Sequence, residues 1–173
     1  MRIIEMAISC VWLLLAGVAY PLQSQGWREI VPLHSKCEDV KRVLGITQCE
    51  TKTYDLKDAM VSINFSDGTC RSGWRVPVGT VLTLDIHPKP PLKFADLNID
   101  EAKFKKEADQ HDQGFVYYKN SEKGISLSVS PEETVLYLFY GPSANDDNLR
   151  CQTVTRDQEP VAAGSGGSVI FDE

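Results

Sequence analysis

FVYYKNSEKGISLSVSPEETVLYLFY, residues 115–140, is the stretch on which the fold class turns. Phe115–Lys119 and Ile125–Val129 each alternate or run apolar for five residues, the length of an ordinary strand. Between them Asn120-Ser121-Glu122-Lys123-Gly124 is a short polar connection with a glycine placed for positive φ, which predicts a β-hairpin. The next run, Thr134–Tyr140 (TVLYLFY), is apolar at both parities. A strand covered on both faces reads this way, so it is expected in the middle of a sheet, under a helix.

Working back along the chain, the same period of two recurs. Val61, Ile63 and Phe65 alternate with Ser62 and Asn64 before Ser66-Asp67-Gly68 turns the chain. Leu82, Leu84 and Ile86 alternate with Thr83 and Asp85. His87-Pro88-Lys89-Pro90-Pro91 then ends that strand, because proline cannot donate to the ladder. Residues 95–108 show no clear period and predict a loop with one helical turn near Asp100–Phe104. Lys103, Lys105 and Lys106, interleaved with Glu101, Glu107 and Asp109, read as a solvated face.

One helix is expected, near the N-terminus. Ser35-Lys36-Cys37-Glu38 has the form of a capping box, Cys37, Val40, Val43 and Leu44 repeat at three- and four-residue spacing, and Gly45 supplies a left-handed stop. These put the helix at about residues 36–44. Gly26–Leu33 before it reads as an extended lead-in. The fold class expected is therefore α+β: an antiparallel β-sheet with one short N-terminal helix packed on it, stabilised by disulfides.

The first residues carry a different message. Arg2 is followed by an uncharged segment from Met6 to Gly26, with Ala7–Ala19 apolar and Gly17 and Ala19 small. The apolar run is shorter than the roughly 20 residues of a membrane-spanning helix, so residues 1–19 are expected to be a signal peptide, with an uncleaved anchor as the alternative. Cys10 sits inside it without a lipidation context. The domain expected is 26–151, followed by a flexible Gly/Ser-containing tail at 152–173, where Ala162–Ser168 has linker composition. The mature chain is then periplasmic or secreted, with no stable membrane span if the signal is cleaved.

Export leaves four cysteines, Cys37, Cys49, Cys70 and Cys151, an even number in an oxidising compartment. Of three pairings, Cys37–Cys49 with Cys70–Cys151 is preferred; free buried thiols are the alternative. The second bridge would close a long loop and stabilise by roughly 4 kcal/mol. No CxxC or closely spaced histidine accompanies these cysteines, so neither metal nor cofactor is expected.

Composition and motifs narrow the chemistry. Hydrophobic residues at 42% and charged residues at 24% are those of a folded soluble domain, and a net charge of −6 opposes a nucleic-acid partner. GxSxG, HExxH, the Walker loop and GxGxxG are absent. His34 precedes a helix cap, His87 ends a strand and His111 lies in a polar turn, all surface or structural positions. Acids pair at Asp96/Asp100, Asp109/Asp112, Glu132/Glu133 and Asp146/Asp147, which is what a glycosidase-like mechanism would draw on, although each pair falls in a turn or strand end. Asn145-Asp146-Asp147-Asn148 lacks EF-hand spacing and reads as a turn. Asn64-Phe65-Ser66 has the form of a glycosylation acceptor inside a strand. Among the aromatics Trp27, Trp74, Tyr117, Tyr118, Tyr137 and Tyr140, core packing competes with a binding groove. Trp74, Tyr117 and Tyr118 are the candidate contact surface; Tyr117 and Tyr118 are adjacent in one strand, so one of them must face outward.

Gly26-Trp27-Arg28, Ile30–Leu33, Glu38-Asp39-Val40, Leu44-Gly45, Trp74–Pro77, Gly79-Thr80-Val81, Val116-Tyr117-Tyr118, Tyr140-Gly141-Pro142 and Leu149-Arg150-Cys151 together resemble a set of uncharacterised exported bacterial proteins. That resemblance spans residues 26–151 and implies export, without an activity or a site to carry over. The opening helix with its Asp39-Val40 and Leu44-Gly45 ending is also similar to the start of small outer-membrane lipoprotein domains of the SmpA/OmlA type, which implies a helical element on an antiparallel sheet that scaffolds protein partners. The chain departs from that type in lacking a lipidated cysteine and in carrying further strands and cysteines. The function expected is an exported non-enzymatic binding or scaffold module of the cell envelope, its partner an unknown protein or envelope component; the alternative is an envelope hydrolase using paired carboxylates.

Overall fold

A computed structural model describes residues 25–108 and 114–152. The expected signal peptide, Cys10, the Asp109/Asp112 pair, His111 and the C-terminal tail lie outside the described residues.

The chain forms α1 (Cys37–Leu44), β1 (Lys52–Asp55), β2 (Ala59–Phe65), β3 (Val81–Pro88), β4 (Leu92–Lys93), β5 (Lys105–Ala108), β6 (Val116–Asn120), β7 (Ile125–Val129) and β8 (Thr134–Tyr140), with 3-10 turns at Phe94–Leu97, Glu101–Lys103 and Ala144–Leu149. All strand pairs are antiparallel, in the order β1-β2-β3-β8-β7-β6-β5. Two meanders, β1-β2-β3 and β5-β6-β7-β8, are thus joined by the long-range pair β3–β8. Short β4 pairs with the start of β8 and carries on along the edge that β3 leaves. The coarse class holds: a mostly antiparallel sheet with a short helix.

β8 does lie in the middle of the sheet. Its two faces differ, however: Val135, Leu138 and Tyr140 are buried, Tyr137 and Phe139 half-buried, and Leu136 is 40% exposed. Leu136 has no partner in β7, because Ser128 pairs with Tyr137 and Val129 with Val135. Leu82 stands outside the β2–β3 register in the same way, between Val81 and Thr83. Both are bulge residues, where one extra residue bends the strand and resets its alternation.

The core lies on one face. Val61, Ile63, Leu84, Ile86, Leu138, Ile125 and Leu127 are at most 1% exposed and come from the adjacent strands β2, β3, β8 and β7. They are covered by the N-terminal segment, by Val40 of α1 and by Leu97. Gly26–Leu33 is not extended. Trp27 and Ile30 bond to each other's backbone, with Arg28 and Glu29 at positive φ, so the chain makes a tight turn that drives Trp27, Ile30 and Leu33 into the core. Gly26 makes this possible, since a Cβ there would lie 2.2 Å from the Ile30 carbonyl oxygen.

The helix begins one residue later than its capping box suggests. Lys36 is the N-cap, and the Asp39 carboxylate accepts from the Lys36 amide at 2.9 Å. Ser35 is engaged elsewhere, its buried hydroxyl accepting from Val31 N–H at 2.8 Å and shaping the turn before the helix. Gly45 closes the helix in the left-handed region, at φ 67°, donating to Lys41 O. The helix start is pinned beside the entry to β3 rather than under β8, through Cys37 N–H to Gly79 O and a bridge between Lys36 and Thr80.

Disulfides join Cys37 to Cys49 and Cys70 to Cys151, the preferred pairing, with Cα–Cα distances of 5.7 and 5.6 Å. The first ties α1 to the segment leading into β1. The second closes the far end of the domain, where Cys70 N–H donates to Trp74 O and Cys151 N–H to Gly73 O. The lysine run at 105–106 is an exposed edge strand instead of a loop. Its charges suit an edge, where a flat apolar strand would invite further pairing.

Candidate functional site

Because side chains alternate across a strand, a sheet whose inner face is sealed presents a second set of residues on the other side. Following the register, one outer row runs Thr53, Ser62, Asp85, Phe139, Ser126, Lys119 and Lys105 from β1 across to β5. The neighbouring row holds Met60, His87, Tyr137, Ser128, Tyr117 and Glu107. Its rings lie in file. His87 and Tyr137 have centroids 6.1 Å apart, and Tyr137 and Tyr117 are 6.4 Å apart. β7 runs between the two tyrosines, whose strands are therefore about 9.6 Å apart. The rings must lean toward each other over Ser128, which explains why that serine is only 2% exposed on the open side.

Asp85 sits beside this file. Its side chain is 43% exposed, yet Oδ1 is covered and has no hydrogen-bond partner among the described residues. Burial raises its pKa, and the His87 ring, at 4.0 Å, only partly offsets this. The result is a half-covered carboxylate whose covered oxygen lacks a hydrogen-bond donor. At the far edge the charges are satisfied locally: Lys105 Nζ lies 2.6 Å from Glu107, and that hydrogen bond holds Glu107 below the usual carboxylate range.

The Phe139 row opens into a pocket of about 390 Å³ where Phe139, Ser126 and Lys119 meet the β6–β7 turn and the Pro142–Asp147 segment. Two glycines shape it. Gly124, at φ 67°, lies so close to Gly141 that a Cβ would come 2.2 Å from the Gly141 carbonyl oxygen, and Gly141 itself lies under the Phe139 ring. Arg150 stands at the rim, 3.3 Å from Asp147, with its guanidinium 4.4 Å from the Trp74 ring centroid.

The candidate aromatics therefore part company. Tyr117 is the outward member of its pair, while Tyr118 is 6% exposed and packs against Phe94 with centroids 4.5 Å apart. Trp27 and Tyr140 are in the core, at 4% and 2% exposure. Trp74 is half-buried and lies outside both outer rows, stacked against Arg150 at the pocket rim. Asp85, His87 and Phe139 carry no signal in the sequence that marks them for this surface. Their membership depends on the β3–β8 pairing, which joins segments some fifty residues apart.

Among the described acid pairs, Asp146, Asp147, Asp100 and Glu132 are committed elsewhere. Asp146 accepts from Ser143 Oγ at 2.7 Å and from Ser143 N–H, and pairs with His34 Nε2 at 2.7 Å. Burial works to raise its pKa, but these hydrogen bonds together hold it below the usual range. The aspartate is the middle member of this Ser–Asp–His cluster, with Ser143 and His34 on opposite oxygens, so the histidine is not placed to take the serine's proton. The cluster ties the N-terminal segment to the last turn. Asp147 pairs with Arg150, Asp100 accepts from Ala102 N–H, and Glu132 is held below the usual range chiefly by the Ser130 hydroxyl. A general acid would need the opposite shift. Asn64, of the glycosylation-type motif, is exposed and donates to Thr83 Oγ1 at 2.8 Å.

Fold and site together define a disulfide-linked, predominantly antiparallel β protein with one sealed and one open sheet face. No family model, curated protein or solved structure matches the chain. Among the described residues no cluster of three or more His, Cys, Asp or Glu could hold a metal, and no helix is long and apolar enough to cross a membrane.

Proposed function

We propose that the protein is an exported, non-enzymatic binding or scaffold module of the cell envelope that holds its partner on the open face of the sheet. The observation that carries this reading is the file of rings from His87 through Tyr137 to Tyr117, set beside Asp85, a carboxylate short of a donor. Outward, half-buried tyrosine rings and a poorly satisfied carboxylate add nothing to the core on the other side, and both are the equipment of a recognition surface. Two disulfides suit an oxidising compartment, and so does the apolar run behind Arg2.

The test has two arms. After expression of the full chain, fractionation with thiol alkylation is expected to find protein outside the cytoplasm, lacking residues 1–19 and inert to alkylation until reduced. Cytosolic protein with its N-terminus intact and all thiols reactive overturns export. In the second arm, immobilised wild type is expected to retain an envelope component that Tyr117→Ser/Tyr137→Ser does not. Equal retention by both removes the open face from the proposal.

A further inference from the structure

We infer that the open face takes a neutral polysaccharide, laid across β3, β8, β7 and β6 with Tyr137 as the central stacking platform and Asp85 as an acceptor for sugar hydroxyls. This rests on the open face being the binding surface and adds the chemistry of what it binds. The two outer rows divide the labour as a sugar chain would require. One row carries rings at successive intervals of 6.1 and 6.4 Å, tilted by 56° and 46° to their neighbours, so the C–H face of one pyranose can lie on Tyr137 while the flanking rings meet the next sugars at an angle. The adjacent row carries Ser62, Asp85 and Ser126, short groups that meet hydroxyls as donors or acceptors, with Phe139 as a further ring between Asp85 and Ser126. A pyranose has the same division, with C–H faces and hydroxyl edges.

Charge and polarity separate this ligand from its competitors. A phosphate or uronate chain would meet Asp85 at the centre of the face, while the cations at the margins face carboxylates, Lys105 and Lys119 near Glu107 and Arg150 paired with Asp147. A protein interface would centre on a desolvated apolar core. Here the file, an exposed His87 and two half-buried tyrosines, is bordered by Ser62, Asp85, Ser126 and Lys119 of the next row, and Met60, at 39% exposure, is the large aliphatic residue of its row. Asp85 points the same way: with Oδ1 covered, its 43% side-chain exposure leaves the other oxygen open on this face, and a ligand hydroxyl can donate to it without bringing a charge.

Affinity electrophoresis of the oxidised full chain through gels containing hydroxyethylcellulose, xylan, galactomannan or glycogen, with pelleting on insoluble cellulose, chitin and peptidoglycan, tests this. At least one neutral polymer is expected to retard or pellet the protein. Tyr137→Ser should weaken that binding at least tenfold and Asp85→Asn about fivefold, while Tyr137→Phe retains it and all three keep the wild-type circular dichroism. Preference for alginate or polygalacturonate overturns the inference, as does a Tyr137→Ser protein that binds as wild type does. If every polysaccharide is ignored while Tyr117→Ser/Tyr137→Ser still loses an envelope protein, the sugar chemistry is wrong and the open face stands. If that variant loses nothing, the face itself is wrong.

Discussion

Replacing Cys70 and Cys151 by alanine should cost the protein most of its margin of stability. The bridge closes a loop over a sequence separation of 81 residues, against 12 for Cys37–Cys49. In the chain-entropy model the long loop restrains the unfolded state by about 4.5 kcal/mol and the short one by about 3 kcal/mol. A domain of this size holds some 5–15 kcal/mol in total, so the first loss alone can bring it near the unfolding threshold. The structure gives little reason for a smaller effect. Cys70 and Cys151 lie in one backbone network with Gly73, Trp74 and Leu149, and removing the bridge frees the segment at Leu149–Cys151 from β3's approach loop. With a urea m-value of about 2 kcal/mol/M, the midpoint should fall by about 2 M for Cys70→Ala/Cys151→Ala and by about 1.5 M for Cys37→Ala/Cys49→Ala. Equilibrium urea unfolding followed by tryptophan fluorescence measures both. Should the short-loop variant lose as much as the long-loop one, the loop-entropy reasoning is refuted.

Asp146→Asn should lose about 1–2 kcal/mol at neutral pH, because the buried carboxylate holds Ser143 and His34. The pH dependence has a definite sign. The pKa is lowered on folding, so the contribution is complete above the unfolded value of about 3.9 and is lost as pH falls through the lower folded value; Asp146→Asn should flatten that acid limb in thermal scans. Asp85 behaves oppositely, its raised pKa making the ionised form unfavourable in the fold. Asp85→Asn should therefore gain stability at pH 7, by less than about 1 kcal/mol since the half-exposed carboxyl is screened by water, while binding suffers. Gly124→Ala should lose at least about 2 kcal/mol in urea unfolding, combining a left-handed φ with a Cβ driven into the Gly141 carbonyl. Burial pushes the Tyr140 phenol up to about 12, so an absorbance titration should show a tyrosine ionising well above the ordinary value of about 10, a step that Tyr140→Phe removes.

What the sequence disclosed was local. The β6–β7 hairpin with Gly124 in its turn, the alternation of Val61 and Ile63, the left-handed Gly45 and the two cysteine pairs all rest on neighbours within a few residues or on parity of count. What it hid depends on pairing at a distance. Leu82 and Leu136 read as core residues in sequence and are set aside by bulges, which answer to sheet curvature rather than to any residue signature. Ser35 satisfies the capping pattern and Lys36 does not, yet Val31 N–H claims the Ser35 hydroxyl and the Asp39 carboxylate accepts from the Lys36 amide instead. β5 was unreadable because an exposed edge strand needs no apolar alternation. The open face suffered most. Tyr117 could be named as one of two outward candidates, but Asp85, His87, Tyr137 and Phe139 become one surface only through the β3–β8 and β7–β8 registers.

Hydroxyl-radical footprinting with residue-level mass spectrometry, on the oxidised protein with and without the retained envelope polymer, reaches the two-faced sheet most directly. Tyr117, Tyr137 and Phe139 should label in the free protein and fade when the polymer is bound, with Tyr118 and Tyr140 dark throughout. Labelling of Tyr118 and Tyr140 at the rate of their outward neighbours, or bound polymer that leaves Tyr117 and Tyr137 as reactive as before, would contradict the account.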